Sequence, residues 1–169
     1  MKWVFAAAEL VWRVRQQLRF GERSRVPLKL MRLELRGDFA ECEWIARQPD
    51  PWDFDVPTHV REQNETWQAL RDALSVREAL LTSIPEIRCA QLKVYRQQQS
   101  AVPQLIISGS VSLDDAPPPR VASLVMRAKL FGFRFQLEDG SLRPLTPDHE
   151  PDFAGPGTST NDRRVVQHN

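Results

Sequence analysis

The chain has 169 residues, enough for one domain with a real core. Its 41% hydrophobic and 27% charged residues are a globular mix, which excludes a wholly disordered chain. A net charge of +1 excludes an obvious whole-molecule polyanion binder, and two cysteines, Cys42 and Cys89, exclude a disulfide framework. With so few thiols and no CxxC, the expected compartment is a reducing cytoplasm. The near-neutral total hides two opposed stretches. Residues 1–36 hold nine Lys/Arg against three Glu, and residues 37–86 hold four Arg against eleven acids.

The first residues, MKWVFAAAELVW, begin with a positive charge and an apolar run. Glu9 breaks the run, Arg13 and Arg15 follow at once, and no small-residue cleavage site appears, so this is not read as a signal peptide. It is also too short to span a bilayer, and no transmembrane segment is expected. The spacing predicts an amphipathic helix from about Lys2 to Phe20, stopped at Gly21, with Trp3, Ala7, Leu10, Val14 and Leu18 on one face. Arg13 and Arg19 fall on the other face, Arg15 near its edge, and Arg23 and Arg25 come after. Trp12 lies on the polar side, where a large exposed aromatic favours contact with a partner.

LKLMRLELR and FAECEWIA flank Gly37-Asp38, a two-residue hairpin turn. Pairing Arg36 with Phe39 puts Met31, Leu33, Leu35, Ala40, Cys42 and Trp44 on one face, and sets Arg32 opposite Glu43 and Glu34 opposite Glu41. Cys42 then points inward as a structural thiol. The loop RQPDPWDFDVP follows, with three prolines. Asp50, Asp53 and Asp55 are spaced closely enough to hold Mg²⁺ or Ca²⁺, and Trp52 and Phe54 among them suit a grip on a basic peptide. The plainer reading anchors both aromatics on the core and leaves the aspartates in water.

Pro57 to Pro85 encloses the longest stretch free of Gly and Pro, read as one helix capped by Thr58 with a bend allowed at Ser75. Val60, Trp67, Leu70, Leu74 and Leu81 form its stripe. IRCAQLKVYR and QLIISGSVSL read as paired strands, with Gly109 marking a bulge or a close approach. A helix from about Pro119 or Arg120 ends at Gly132, and FRFQLE and SLRPL flank a second hairpin turn at Asp139-Gly140. Residues 147–169 have no periodicity and are expected to form a disordered tail.

The expected fold is α+β over residues 1–146: an antiparallel sheet of about five to six strands in αββ-αββ-αββ order, packed against two or three helices. Glycine-rich nucleotide fingerprints are absent and no βαβ crossover is demanded. No catalytic residue is assigned and no cofactor is implied. The functional expectation is a non-enzymatic binding or assembly module, with a protein partner or a second copy meeting Arg13, Arg15, Arg19, Arg23, Arg25, Trp52 and Phe54. The alternatives are nucleic-acid binding through the same arginines, or a carboxylate- or metal-dependent enzyme centred on Asp50, Asp53 and Asp55.

Overall fold

The computed structural model describes residues 2–18, 21–53, 55–99, 101–115 and 120–146. The expected tail from residue 147 lies outside them, as do Arg19 and Phe54.

Among the described residues three helices and seven strands follow in the order α1 (Lys2–Gln17), β1 (Lys29–Arg36), β2 (Phe39–Ile45), α2 (Thr58–Ser83), β3 (Cys89–Arg96), β4 (Gln104–Ser112), α3 (Leu124–Leu130), β5 (Phe133–Arg134), β6 (Gln136–Glu138) and β7 (Ser141–Arg143). The fold is α+β, with a mostly antiparallel five-stranded sheet in the order β1-β2-β3-β4-β5 and a separate β6-β7 hairpin.

The hairpins are where local chemistry places them. Gly37 takes φ +59°, which an L side chain resists, and Arg36 pairs with Phe39 across it. Asp139 and Gly140 both have positive φ and close β6 onto β7. Arg32 faces Glu43 and Glu34 faces Glu41, and Glu34 is relieved by ion pairs to Arg32 and Arg36. The expected Met31–Trp44 pair does not form. The register shifts between Leu30 and Arg32, so Leu30 meets Trp44 while Met31 bulges outward and is 47% exposed. Trp44 and Cys42 remain buried on the core side. Burial pushes the Cys42 thiol up to about 12, which keeps it protonated and inert.

One relation between elements departs from expectation. The two hairpins are joined side by side through β2 and β3, and these strands are parallel, from Phe39 opposite Cys89 to Ile45 opposite Tyr95. The connection between them contains α2, so the unit is a β-α-β crossover rather than a sequential antiparallel run. A helix of 26 residues extends about 39 Å, long enough to carry the chain back past the whole sheet before the next strand begins. It is unbroken at Ser75, and Thr58 is its first residue rather than its cap, with Pro57 at the cap position and no side-chain cap bond.

Alternation then sorts the sheet. Ala40, Trp44, Leu92, Val94, Ile107 and Val111 belong to the core cluster, together with Leu70, Ala73, Val76 and Leu80 of α2 and Leu10 and Val14 of α1. A Cβ on Gly109 would stand 2.7 Å from a ring carbon of Phe133, so glycine lets β5 approach β4. α3 starts later than expected, at Leu124, with the Ser123 hydroxyl accepting from the Met126 N–H at 3.3 Å. The strand expected over Phe133–Glu138 divides: Phe133 and Arg134 join the main sheet, whereas Gln136–Glu138 pairs with β7. That hairpin is docked on α2, where the Leu142 N–H donates to Thr66 Oγ1 at 2.9 Å.

A buried ion pair ties α1, the segment after it and α2 to the end of β2. Arg47 Nε donates to Asp72 Oδ2 at 2.7 Å, with the two side chains 1% and 3% exposed. The same guanidinium donates to the carbonyls of Val26, at 2.8 Å, and Leu18. Gln68 donates to Asp72 Oδ1 at 3.0 Å and accepts from the Arg23 backbone N–H at 2.8 Å. Burial pushes the Asp72 carboxyl up from its usual range, and the Arg47 bonds pull against that.

Two outcomes are expected. Arg47→Met strands Asp72 as a buried, unpaired carboxylate and costs about 3–5 kcal/mol in a denaturant titration, most of it recovered in the Arg47→Met/Asp72→Leu double variant. In the native protein a maleimide labels Cys89, which is partly exposed, and reaches Cys42 only after unfolding; labelling of both at equal rates contradicts the buried register of β2.

Candidate functional site

Because β2 and β3 are parallel, their carboxyl ends and the chain leaving them lie at one end of the sheet. In open sheets with parallel strands this is the end where loops gather and ligands sit. Here the segments after β2 and β3 cross-link, Gln48 Nε2 donating to the Gln97 carbonyl at 3.0 Å. Ala46, Gln48, Gln97 and Gln99 line a hollow on either side of them.

On one side is a groove of about 730 Å³ between α1 and the start of β1. Val11, Val14, Val26, Leu28 and Ile45 give it apolar walls, and Arg15 and Lys29 stand on its rim. At helical spacing, Val4 shares the flank of Val11 and Arg15, with Phe5 and Trp12 in the next row. Phe5 is 71% and Trp12 62% exposed, so the apolar surface runs out of the groove onto the outer side of α1.

On the other side is a polar cleft of about 360 Å³, reached by α2, β3 and β7. Arg61, Glu62 and Glu65 come from the first turns of α2, Arg96 from the end of β3 and Arg143 from β7. Ser141 Oγ donates to Glu62 Oε2 at 3.2 Å, Arg143 is drawn to Glu138 at 2.7 Å, and Arg96 Nη1 donates to the Leu142 carbonyl at 3.1 Å. Burial raises the Glu65 carboxyl above its usual range, against the pull of Arg96 and Arg61 and with a further push from Glu62.

The arginines named from sequence do not form one patch. Arg13 pairs with Glu9 at 2.6 Å, one turn away on α1. Arg23 lies over the Trp67 ring, 5.1 Å from its centroid, and donates to Asn64 at 3.3 Å. Arg25 is exposed beyond it, and of the four described arginines Arg15 alone lines the groove. In the acidic loop, the expected anchoring of Trp52 does not occur: its side chain is 84% exposed. The loop is held by its own turn, with Asp50 Oδ1 accepting from the Trp52 N–H at 3.1 Å and the Asp50 carbonyl accepting from the Asp53 N–H at 3.0 Å. Among the described residues, no group of three or more His, Cys, Asp or Glu side chains is arranged to hold a metal ion. Nor is any described helix long and apolar enough to cross a membrane.

Sequence reasoning missed Arg61, Glu62, Glu65 and Arg96. The first three looked like the ordinary polar side of an amphipathic helix, and nothing local connects them to Arg96. They meet because the crossover returns β3 beside β2.

Comparison with known proteins yields no matching family model, no matching curated protein and no matching solved structure.

A raised carboxyl binds its proton more tightly in the fold than in the unfolded chain. The stability it contributes is present below the ordinary carboxylate range and is lost as pH rises through the raised value. Glu65→Gln is therefore expected to raise the thermal midpoint at pH 7, with the gain vanishing by about pH 4. A midpoint lowered at pH 7 contradicts this electrostatic balance.

Proposed function

We propose that the chain is a non-enzymatic binding and assembly module whose recognition surface is the groove between α1 and β1. The segment it takes is acidic and carries an aromatic anchor, and the first occupant is the Asp50–Asp55 loop of a second copy. The observation that carries this reading is the pairing of an apolar groove rimmed by Arg15 and Lys29 with an acidic turn that holds Trp52 out in solvent. Aromatic anchors seated in apolar pockets and ringed by complementary charge account for most of the affinity in such contacts.

The two surfaces are neighbours in the chain. Gln48 lines the groove, and the acidic loop begins two residues later. A two-fold axis close to this point sets each loop over the other copy's groove and closes the assembly as a dimer; a distant loop would instead favour an open chain of copies. Strand addition at the edge of the sheet is a weaker alternative. β1 is the longer of the two edge strands, but the Met31 bulge and the row Lys29, Arg32 and Arg36 blunt it. Nucleic-acid binding is favoured less, because Arg13 and Arg23 are engaged by Glu9 and Trp67 rather than presented beside Trp12.

Size exclusion with light scattering tests this. A dimer is expected at about 50 mM salt and a shift toward monomer at about 500 mM, since the rim charges are exposed and screened. Trp52→Ala and Arg15→Glu should each give monomer at concentrations where the native chain dimerises. A monomer at both salts, or a dimer indifferent to both substitutions, overturns the reading.

A further inference from the structure

The polar cleft is a separate site from the groove, and its charges are arranged in a way that a solvated surface does not require. Among the described residues, Arg61 makes no side-chain hydrogen bond or ion pair, and Glu65 accepts none, although both line the cleft. Arg96 uses one N–H on the Leu142 carbonyl. Arg143 is engaged by Glu138. The cleft therefore presents two guanidinium groups, Arg61 and Arg96, and two carboxyl groups, Glu62 and Glu65. Glu65 feels both arginines, yet it forms no ion pair with either.

This balance decides the class of ligand. A phosphate or a dicarboxylate would satisfy the arginines but meet two carboxylates. A polyamine would satisfy the glutamates but meet two guanidinium groups. Like charges brought together in a sheltered cleft are costly, whereas a ligand carrying both signs pays neither repulsion. Ala69, Ile106 and Leu142, all buried, supply an apolar wall beside the charges. The volume of about 360 Å³ lies at the small end of small-molecule sites.

We infer that the cleft at the carboxyl ends of β2 and β3 binds a small zwitterion of the α-amino-acid class, its carboxylate held by Arg61 and Arg96 and its ammonium by Glu65. Arg61 supplies a two-pronged donor suited to a carboxylate, and Glu65 an acceptor left open for an ammonium. Holding Glu65 charged and without a hydrogen-bond partner opposes folding in the empty protein, a burden that a bound ammonium removes. The same residue is thus unfavourable to the free fold and favourable to the complex, a combination that marks binding sites rather than structural surface.

The test is a thermal-shift and calorimetric screen of the full chain against the twenty free L-amino acids, with inorganic phosphate and spermidine as single-sign probes. One or a few amino acids should bind, and their N-acetylated and C-amidated forms should bind at least tenfold more weakly. Arg61→Gln is the cleanest variant because, among the described residues, that side chain makes no hydrogen bond or ion pair; it should lower affinity at least tenfold, while the melting midpoint at pH 7 falls only slightly through the lost pull on Glu65. Glu65→Gln should move two readouts in opposite directions, raising the midpoint of the empty protein at pH 7 while weakening binding. Phosphate or spermidine binding more tightly than every amino acid overturns the assignment. So does affinity unchanged in Arg61→Gln, or no binding by any probe at about 10 mM, tenfold above a millimolar Kd.

Discussion

Arg47 stands where four pieces of chain meet, and its burial against Asp72 is the constraint from which the rest of the arrangement follows. The pair adds little net stability by itself, because taking two charges out of water offsets most of their attraction. Its consequence is positional. Asp72 is on α2, Arg47 lies two residues past the end of β2, and the remaining N–H groups of Arg47 reach the carbonyls of Leu18 and Val26. Any displacement of α1 or of the segment behind it would leave part of a buried guanidinium without acceptors. Gln68 extends the same network to the backbone of Arg23. The position of α1, and so the width of the groove beside it, is set by hydrogen bonds as well as by the packing of Leu10 and Val14.

The parallel alignment of β2 and β3 is the second constraint. Turn chemistry dictates each hairpin but says nothing about how two hairpins lie against each other. That relation is decided by the length of α2 and by the apolar stripe that must lie across the sheet. A 26-residue helix returns the chain to the end from which β2 began, so β3 runs in the same direction. Both strands then deliver their following segments to one end, and the Gln48–Gln97 bond joins those segments into a divider with an apolar hollow on one side and a charged one on the other.

The two hollows suit different partners for physical reasons. The groove has exposed aromatics on its outer lip and positive charge on its rim, and it resembles the core and rim of a protein interface. The cleft has ionisable groups of both signs, a carboxyl perturbed by burial, and too little apolar area to bury a peptide side chain. The open face of the sheet is different again. Arg32 is paired with Glu34 along β1 and with Glu41 and Glu43 across strands, so its charge is already engaged within the sheet.

What could be learned from residues alone follows from interactions between near neighbours. Period-2 and period-3.6 spacing placed β1 to β4 and the helices α1 and α2 to within a few residues, whereas α3 starts later and the stretch 133–138 divides between two sheets; the Gly37 and Asp139-Gly140 turns set the hairpin registers, apart from the Met31 bulge. Cys42 and Trp44 could be placed inside because one-residue slips reverse every side chain on a strand. The candidate sites were not legible in the same way. Arg61, Glu65 and Arg96 read singly as solvated charges, Arg23 read as a free cation although Trp67 receives it, and Trp52 read as an anchor although its side chain stands exposed. Each of these depends on which segment the long crossover and the Arg47–Asp72 tie bring alongside. Contacts between residues tens of positions apart leave no local periodicity, so only the folded chain could decide them.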